Sequence, residues 1–176
     1  QCMRDPVRIL EIGFGTGLNA FLTCMEAEKM QIRVMYDTLE LYPLSWDVIG
    51  SLNYTERLEG EAGALFEDIH RCAWGQTIGI TPFFDLNKIH VDFSRFEPDR
   101  KYGLIYFDAF APEKQPLMWE RQPMTRLFHA LEPGGMLVTY SAKGSIKRLL
   151  RDIGYRVENL PGPPGKREMT RAIRPA

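Results

Sequence analysis

The stretch from residue 7 to 19, VRILEIGFGTGLN, constrains the fold more than any other part of the chain. It opens with an apolar run rich in β-branched residues, Val7–Ile12, which predicts a buried parallel strand. Glycine then occupies every second position, and from Leu18 onward apolar residues recur at helical spacing. A strand, a glycine turn and a helix in this order are typical of α/β proteins that bind a nucleotide-like ligand at the carboxyl end of an open sheet.

The spacing of the glycines indicates the kind of ligand. In a dinucleotide-binding turn, G-x-G-x-x-G, the last glycine would fall at position 18, where this chain has Leu18. The chain has E-x-G-x-G-x-G instead, which resembles the first motif of class I S-adenosylmethionine (SAM) methyltransferases. An ordinary glycine turn before a helix is the alternative. The candidate cofactor-binding residues of this stretch are Glu11, Gly13, Phe14, Gly15, Gly17 and Asn19.

Two acids that follow further strands are candidates for the rest of the cofactor site. A second strand predicted over residues 32–40 ends on Glu40, about 20 residues beyond the glycine turn, where an acid of an α/β fold binds ribose hydroxyls. A third strand predicted over residues 88–93 places Asp92 where a carboxylate can accept a hydrogen bond from the adenine amine. Glu40 could instead be a solvated charge at a strand end.

The second informative stretch is residues 102–119, YGLIYFDAFAPEKQPLMW. It predicts a buried strand with Asp108 at its carboxyl end, followed by a shaped loop, because Ala-Phe-Ala-Pro cannot continue as a regular helix. An acid, an aromatic residue and a proline in this order resemble the D-P-P-Y pattern of nitrogen-directed methyltransferases. Asp108 is therefore the candidate catalytic residue and a cofactor contact, and an aspartate that only caps the next helix is the alternative.

The remaining elements are predicted from periodicity. His70 is expected to be a core or capping residue and no metal site is expected, because no second pair of ligands accompanies His70 and Cys72. Residues 74–84 form either an extra strand or a surface loop. Helices are predicted at 43–52, 59–72, from 123 and at 143–153, and strands at 136–141, 155–160 and 169–173, the last two as a terminal hairpin.

Length, charge and composition bound the function. The 176 residues predict a single domain, and without a run of 18 apolar residues no membrane span is expected. Three cysteines without C-x-x-C spacing predict free thiols in a reducing cytoplasm. We expect a missing N-terminal segment, because the first strand begins so close to Gln1. Lys and Arg outnumber acids from Lys143 onward, which predicts a polyanion contact or, equally, solvated faces.

Four segments together carry a more specific resemblance: ILEIGFGTGLN, FDAFAPEKQPLMW, GGMLVTYSAKGSIKRLL and GKREMTR. They resemble the methyltransferase domain of bacterial tRNA wobble-uridine modification enzymes of the MnmC type, in particular the stand-alone MnmD-like form. The resemblance implies a Rossmann-like α/β fold, with a mostly parallel seven-stranded sheet flanked by helices and an antiparallel C-terminal hairpin. It implies methyl transfer from SAM to the primary amine of 5-aminomethyl-2-thiouridine at tRNA position 34. The expected partners are the tRNA anticodon stem-loop and a separate FAD-dependent oxidase that acts upstream.

The resemblance also implies roles for particular residues. The cofactor would be held by Gly13, Gly15, Gly17 and Glu40, and Asp108 would lie beside the reacting atoms. The predicted substrate-binding residues are Phe110, Pro112, Lys114, Trp119, Lys166, Arg167, Glu168 and Met169. The alternatives are a small-molecule amine or catechol methyltransferase, an aminopropyltransferase, and a non-catalytic SAM-binding or RNA-binding module. An aminopropyltransferase would be expected to carry a pair of acids in the loop where this chain has only Asp108.

Overall fold

A computed structural model of the protein describes residues 5–52, 61–109, 112–162, 165 and 167–176. Two predicted substrate-binding residues, Phe110 and Lys166, lie outside the described residues. The helices and strands are β1 (Val7–Ile12), α1 (Leu18–Met30), β2 (Val34–Glu40), α2 (Trp46–Ser51), α3 (Glu61–Arg71), β3 (Thr77–Thr81), β4 (Phe84–His90), β5 (Tyr102–Phe107), α4 (Arg121–Ala130), β6 (Leu131–Thr139), α5 (Gly144–Ile153), β7 (Arg156–Pro161) and β8 (Glu168–Ile173).

The eight strands belong to a mixed sheet, so the described part of the chain has one strand more than predicted. The chain groups into two compact units, one with residues 1–7 and 13–92 and the other with residues 8–12 and 93–176. That the chain acts as a single domain stays a prediction. Within the described ranges, no helix is both long enough and apolar enough to cross a membrane.

In the first unit the strand order is β3-β4-β2. Strand β2 runs parallel to β4, in a register that pairs Val34 with Phe84 and Glu40 with His90, and β3 runs antiparallel to β4. Strand β3 is the additional strand, and it lies in the segment that the sequence left open between strand and loop. Helix α1 buries Ala20, Phe21, Cys24 and Ala27, which the helical spacing places on one face.

Two element bounds in the first unit differ from the prediction. Strand β4 ends at His90, so Asp92 lies beyond the strand instead of within it. The strand begins earlier than predicted because Phe84, Leu86 and Lys88 are buried at alternate positions, which is the period of a strand with one face on the core. Helix α2 begins after Ser45, whose backbone is extended, and not at Pro43.

In the second unit the strand order is β1-β5-β6-β8-β7. Strand β1 pairs in parallel with β5, and β5 with β6, whereas β8 is antiparallel to both β6 and β7. This arrangement confirms the mostly parallel sheet and the antiparallel C-terminal hairpin. Helix α5 ends at Gly154, whose φ of 119° lies in the left-handed region that suits glycine after a helix.

Candidate functional site

The glycine turn after β1 adopts a conformation that only glycines take readily. Gly13, Gly15 and Gly17 have φ values of 96°, 52° and 70°. The amides of Gly13 and Phe14 both donate to the carbonyl oxygen of Leu39, at 3.0 and 3.2 Å. A Cβ added at Gly15 would meet no atom within 4 Å, so the turn is open at its tip. The alternate glycines therefore produce a bare backbone surface at the carboxyl end of β1.

The carboxylate of Glu40 is hydrogen-bonded to this turn. Its Oε2 accepts from the Gly15 amide at 3.0 Å, and its Oε1 accepts from the Tyr42 amide at 2.9 Å. Each carboxylate oxygen has a further lone pair, so both can accept another hydrogen bond. The structure thus brings together two of the predicted cofactor-binding residues, and it leaves Glu40 able to bind a pair of hydroxyls.

The other predicted cofactor residues of the first unit occupy different settings. The ring of Phe14 is 5% exposed and packs against His70 and Trp74, with ring centroids 5.5 and 6.0 Å apart. Asn19 lies in the first turn of α1 and is partly exposed, and Asp92 is partly exposed beyond β4. The cofactor contacts predicted for these residues stay predictions.

Behind the turn lies an aromatic cluster that the sequence did not predict. Phe14, His70 and Trp74 surround the ammonium group of Lys88, which is 1% exposed and lies 5.6 Å from the Phe14 ring centre and 5.1 Å from that of Trp74. Lys88 Nζ donates to the carbonyl oxygens of Ile69 and His70, at 2.9 and 2.7 Å. Burial lowers the pKa of Lys88. Alternation along β4 was the available signal, since it places Lys88 on the same face as Phe84 and Leu86.

Glu11 and Asp108 belong to the second unit. Glu11 is completely buried within β1, at the position that pairs with Tyr106 of β5. Asp108 is exposed directly after β5, and its amide donates to the carbonyl oxygen of Ile12 at 3.2 Å. Asp108 therefore stands at the carboxyl end of β5, as predicted, and its side chain is open to solvent.

Tyr140, which follows β6, holds the loop that begins at Asp108. Its hydroxyl donates to the carbonyl oxygen of Ala109 at 2.8 Å. Burial raises the pKa of Tyr140, and the negative charge of Asp108 raises it further. The phenol therefore stays protonated at neutral pH and keeps its hydrogen bond to the loop. Tyr140 was not predicted from the sequence, because only the pairing of β5 with β6 places the two strand ends together.

Three of the predicted substrate-binding residues lie in or after the loop. Trp119 is 4% exposed, with its ring 4.8 Å from Phe107 and 6.4 Å from Tyr140. It packs in the core and has little free surface. Pro112 is partly exposed and Lys114 is exposed. Their predicted contacts with a substrate stay predictions.

The other three predicted substrate-binding residues lie at the hairpin. Glu168 accepts a hydrogen bond from Lys147 Nζ at 2.8 Å, and the Lys147 side chain is only 10% exposed. Met169 pairs with Leu160 across the hairpin. Arg167 is exposed and has no ion pair with another described residue. Of these three, Arg167 is the exposed cation, whereas Glu168 is held by Lys147.

Comparison with known proteins identifies the class. The chain matches a structure of MnmC2 from Aquifex aeolicus with a TM-score of 0.70 at 22% identity, over 97% of this chain and 54% of that one. It matches the N-methyltransferase NodS from Bradyrhizobium japonicum with a TM-score of 0.58 at 14% identity, over 97% of this chain and 86% of that one. The fold is the Rossmann-like fold of methyltransferases, as predicted.

The family follows from the sequence. A family model described as S-adenosyl-L-methionine-dependent methyltransferase matches residues 85–175, and this chain belongs to that family. The bifunctional tRNA 5-methylaminomethyl-2-thiouridine biosynthesis protein MnmC of Pseudoalteromonas atlantica is 31% identical over 98% of this chain and 27% of its own length. The MnmC of Hydrogenovibrio crunogenus is 29% identical over 92% of this chain and 25% of its own length. The chain thus spans about a quarter of these relatives.

The predicted cofactor, S-adenosyl-L-methionine, is confirmed by the family. The residues present fit it on two observations. The tip of the turn at Gly15 is open, so a ligand can approach the bare backbone. The carboxylate beside it, Glu40, retains acceptor capacity on both oxygens for ribose hydroxyls.

Proposed function

We propose that this chain methylates the aminomethyl group of 5-aminomethyl-2-thiouridine at the wobble position of tRNA. The observation that carries the proposal is the match of 98% of the chain to a relative named for tRNA 5-methylaminomethyl-2-thiouridine biosynthesis. The family and the glycine turn support the cofactor side of the reaction. The position of Asp108 at the start of a loop supports the part of the proposal that concerns the accepting amine.

On the cofactor side, the glycine turn and Glu40 would bind SAM and orient it. Glu40 would accept hydrogen bonds from the two ribose hydroxyls, and each bond gains strength from the negative charge of the carboxylate. The Gly15 amide, which already donates to Glu40, keeps that carboxylate in place. Bound SAM supplies an electrophilic methyl group on a sulfonium sulfur.

On the amine side, the difficulty is protonation. An alkylamine resembles the lysine side chain, with a pKa of roughly 10, so at neutral pH only about one molecule in a thousand has a free lone pair. That handicap is about 4 kcal/mol. An apolar setting lowers the amine pKa and reduces the handicap. We assign that setting to Phe110, Pro112 and Trp119.

Asp108 acts on the charge that develops during transfer. The amine nitrogen would form a bond to the methyl carbon while the bond between that carbon and sulfur breaks, so that S-adenosylhomocysteine leaves. The nitrogen becomes cationic and then releases one proton. A fixed carboxylate stabilises that developing positive charge, and it can accept the released proton. The bond from Tyr140 to Ala109 holds the loop in which Asp108 lies. The backbone on both sides of the Asp108 side chain is thereby held, since its own amide donates to Ile12.

The anticodon stem-loop of tRNA is the proposed partner, and the structure limits which cations could bind its phosphates. Lys143 pairs with Glu113, and Arg156 and Arg171 both pair with Glu158. Arg174 donates to the carbonyl oxygen of Leu131, and Lys147 is held by Glu168. Among the described residues from 143 onward, those that are exposed and carry no ion pair are Arg148, Arg151 and Arg167.

The reaction needs a free aminomethyl group on the tRNA. We propose that a FAD-dependent oxidase, acting upstream as a separate protein, supplies it, and that both steps take place in the cytoplasm. The named relatives are bifunctional, and this chain covers about a quarter of their length. A second activity of those proteins can therefore lie in the part that this chain does not match.

Labelled methyl transfer tests the proposed function against its rivals. The chain is incubated with methyl-labelled SAM and with tRNA that carries the unmethylated aminomethyl group, and in parallel with small primary amines. Label in that tRNA, and none in tRNA that is already methylated, supports the proposal. Label only in the small amines favours a small-molecule methyltransferase. Transfer of an aminopropyl group from decarboxylated SAM favours an aminopropyltransferase.

A further inference from the structure

His70 of α3 contacts the glycine turn directly. Its Nε2 lies 3.1 Å from the carbonyl oxygen of Thr16, and the side chain is 7% exposed. A carbonyl oxygen only accepts hydrogen bonds, so Nε2 must carry the proton and donate it. Burial is the main cause that lowers the pKa of His70; the bond to Thr16 opposes this effect and the charge of Lys88 adds to it. The imidazole is therefore neutral at pH 7, with Nδ1 unprotonated.

The turn also packs tightly against this imidazole. A Cβ added at Gly17 would lie 3.0 Å from His70 Nε2 and 3.0 Å from Phe14 Cζ, so that at least one of the two rings would have to shift. Glycine at position 17 is thus needed for its φ of 70° and also for the close approach of His70. The imidazole and the backbone of the turn form one packed contact.

His70 is itself fixed from behind. Lys88 Nζ donates to the carbonyl oxygens of Ile69 and His70, which lie at the end of α3, where a helix has carbonyls without helical partners. The His70 ring also packs against Phe66, with centroids 4.6 Å apart. The imidazole is therefore held at the backbone by Lys88 and at the ring by Phe66.

Besides His70, two other residues form hydrogen bonds to the glycine turn. Leu39 binds the amides of Gly13 and Phe14 through its backbone, and Glu40 binds the amide of Gly15 through its carboxylate. A ribose would share the Glu40 carboxylate with the Gly15 amide. The hydrogen bond from His70 to Thr16 differs, because its donor is a neutral side chain that is only 7% exposed.

We propose that His70 is a positioning residue, which donates to Thr16 and holds the glycine turn in the conformation that binds the cofactor. The proposal rests on the cofactor alone and does not depend on which amine is methylated. It predicts that the hydrogen bond contributes to cofactor affinity and not only to folding.

Two substitutions that differ in reach test this role. The amide nitrogen of Gln can occupy the place of Nε2, whereas that of Asn corresponds to Nδ1 and cannot reach Thr16. We expect His70→Asn to weaken the affinity for S-adenosylhomocysteine about five- to tenfold, the loss of one hydrogen bond, and His70→Gln to remain within about twofold of wild type. Calorimetry measures both. Equal affinities for His70→Asn and wild type, or equal losses in the two variants, would overturn the proposal.

A control and a second measurement separate positioning from stability. Val34→Ala removes two buried methyl groups from β2 of the same unit; we expect it to lower the urea midpoint of the ligand-free chain without changing the affinity for S-adenosylhomocysteine. A loss of affinity in Val34→Ala equal to that in His70→Asn would overturn the proposal. If His70→Asn does not fold, nitrogen NMR of wild-type His70 decides: Nε2 protonated with and without S-adenosylhomocysteine supports the bond, and Nδ1 protonated refutes it.

Discussion

At the scale of single residues, Glu40 determines whether the turn can hold a ribose. Glu40→Gln keeps the shape but removes the charge, and its amide group would face one of the two backbone amides that now donate to it. We expect about a tenfold loss of affinity for S-adenosylhomocysteine, because hydrogen bonds to a charged group contribute about 1.5–3 kcal/mol. Calorimetry measures the loss. Asp85→Asn, at a carboxylate of the same unit that pairs with Arg33, is the control and should bind as wild type. Unchanged affinity in Glu40→Gln would contradict the assignment.

Asp108 is tested by separating binding from turnover. We expect Asp108→Ala to lower turnover about a hundredfold or more, since it removes both the stabilising charge and the proton acceptor. Binding of S-adenosylhomocysteine should remain measurable by calorimetry. Asp99→Ala is the control, because Asp99 is an exposed acid of the same unit that pairs with its neighbour Arg100. Near-normal turnover in Asp108→Ala would eliminate the catalytic role.

The sequence could predict site residues that directly follow a strand. It could not predict residues that reach the site because a helix packs against it. The link between Gly15 and Glu40 was predictable because parallel strands end at the same edge of a sheet. His70 binds Thr16 across 54 positions of sequence, and that contact depends on how α3 packs against the turn. A histidine at position 70 did not by itself indicate this contact, since a histidine in the core and a histidine at a functional site look alike in a sequence.

At the scale of elements, helix α5 carries the proposed tRNA contact. Its apolar residues Ile146 and Leu150 are buried, and Arg148 and Arg151 are exposed. The burial of Lys147 against Glu168 was not predictable from charge, because a lysine within a basic helix is ordinarily solvated. Strand β6 also begins earlier than predicted, at Leu131, since Gly134 and Gly135 suggested a turn but lie within the strand.

Charge removal on α5 tests the proposed binding of tRNA phosphates. We expect the double substitution Arg148→Ala with Arg151→Ala to weaken tRNA binding. It should also reduce the slope of log affinity against log salt by about two, one for each phosphate that the variant no longer neutralises. Filter binding between about 50 and 200 mM salt measures both.

The matched control for this helix is Lys29→Ala with Arg33→Ala, which removes the same charge from exposed positions of the first unit. It should leave the salt slope as in wild type. An equal effect of both double variants would indicate a response to net charge alone. A flat salt response in wild type would count against any binding of phosphates by this chain.

At the scale of the whole molecule, the match to MnmC relatives covers nearly the whole of this chain but about a quarter of theirs. The fold could be predicted because segments with strand patterns and segments with helix patterns alternate along the sequence, with glycines between some of them. The extra strand β3 was left open between strand and loop. Its Thr and Ile residues favour a strand, but the strand is only five residues long and lies between Gly75 and Pro82, which favour turns.

Nucleoside mass spectrometry of the tRNA product tests directly whether this chain methylates the wobble uridine. Wobble-position nucleosides are analysed after incubation of aminomethyl-bearing tRNA with SAM and the chain. We predict that 5-aminomethyl-2-thiouridine is converted to its singly N-methylated form, and that Asp108→Ala largely prevents the conversion. A wobble nucleoside that stays unchanged, or a methyl group found at another nucleoside, would contradict this prediction.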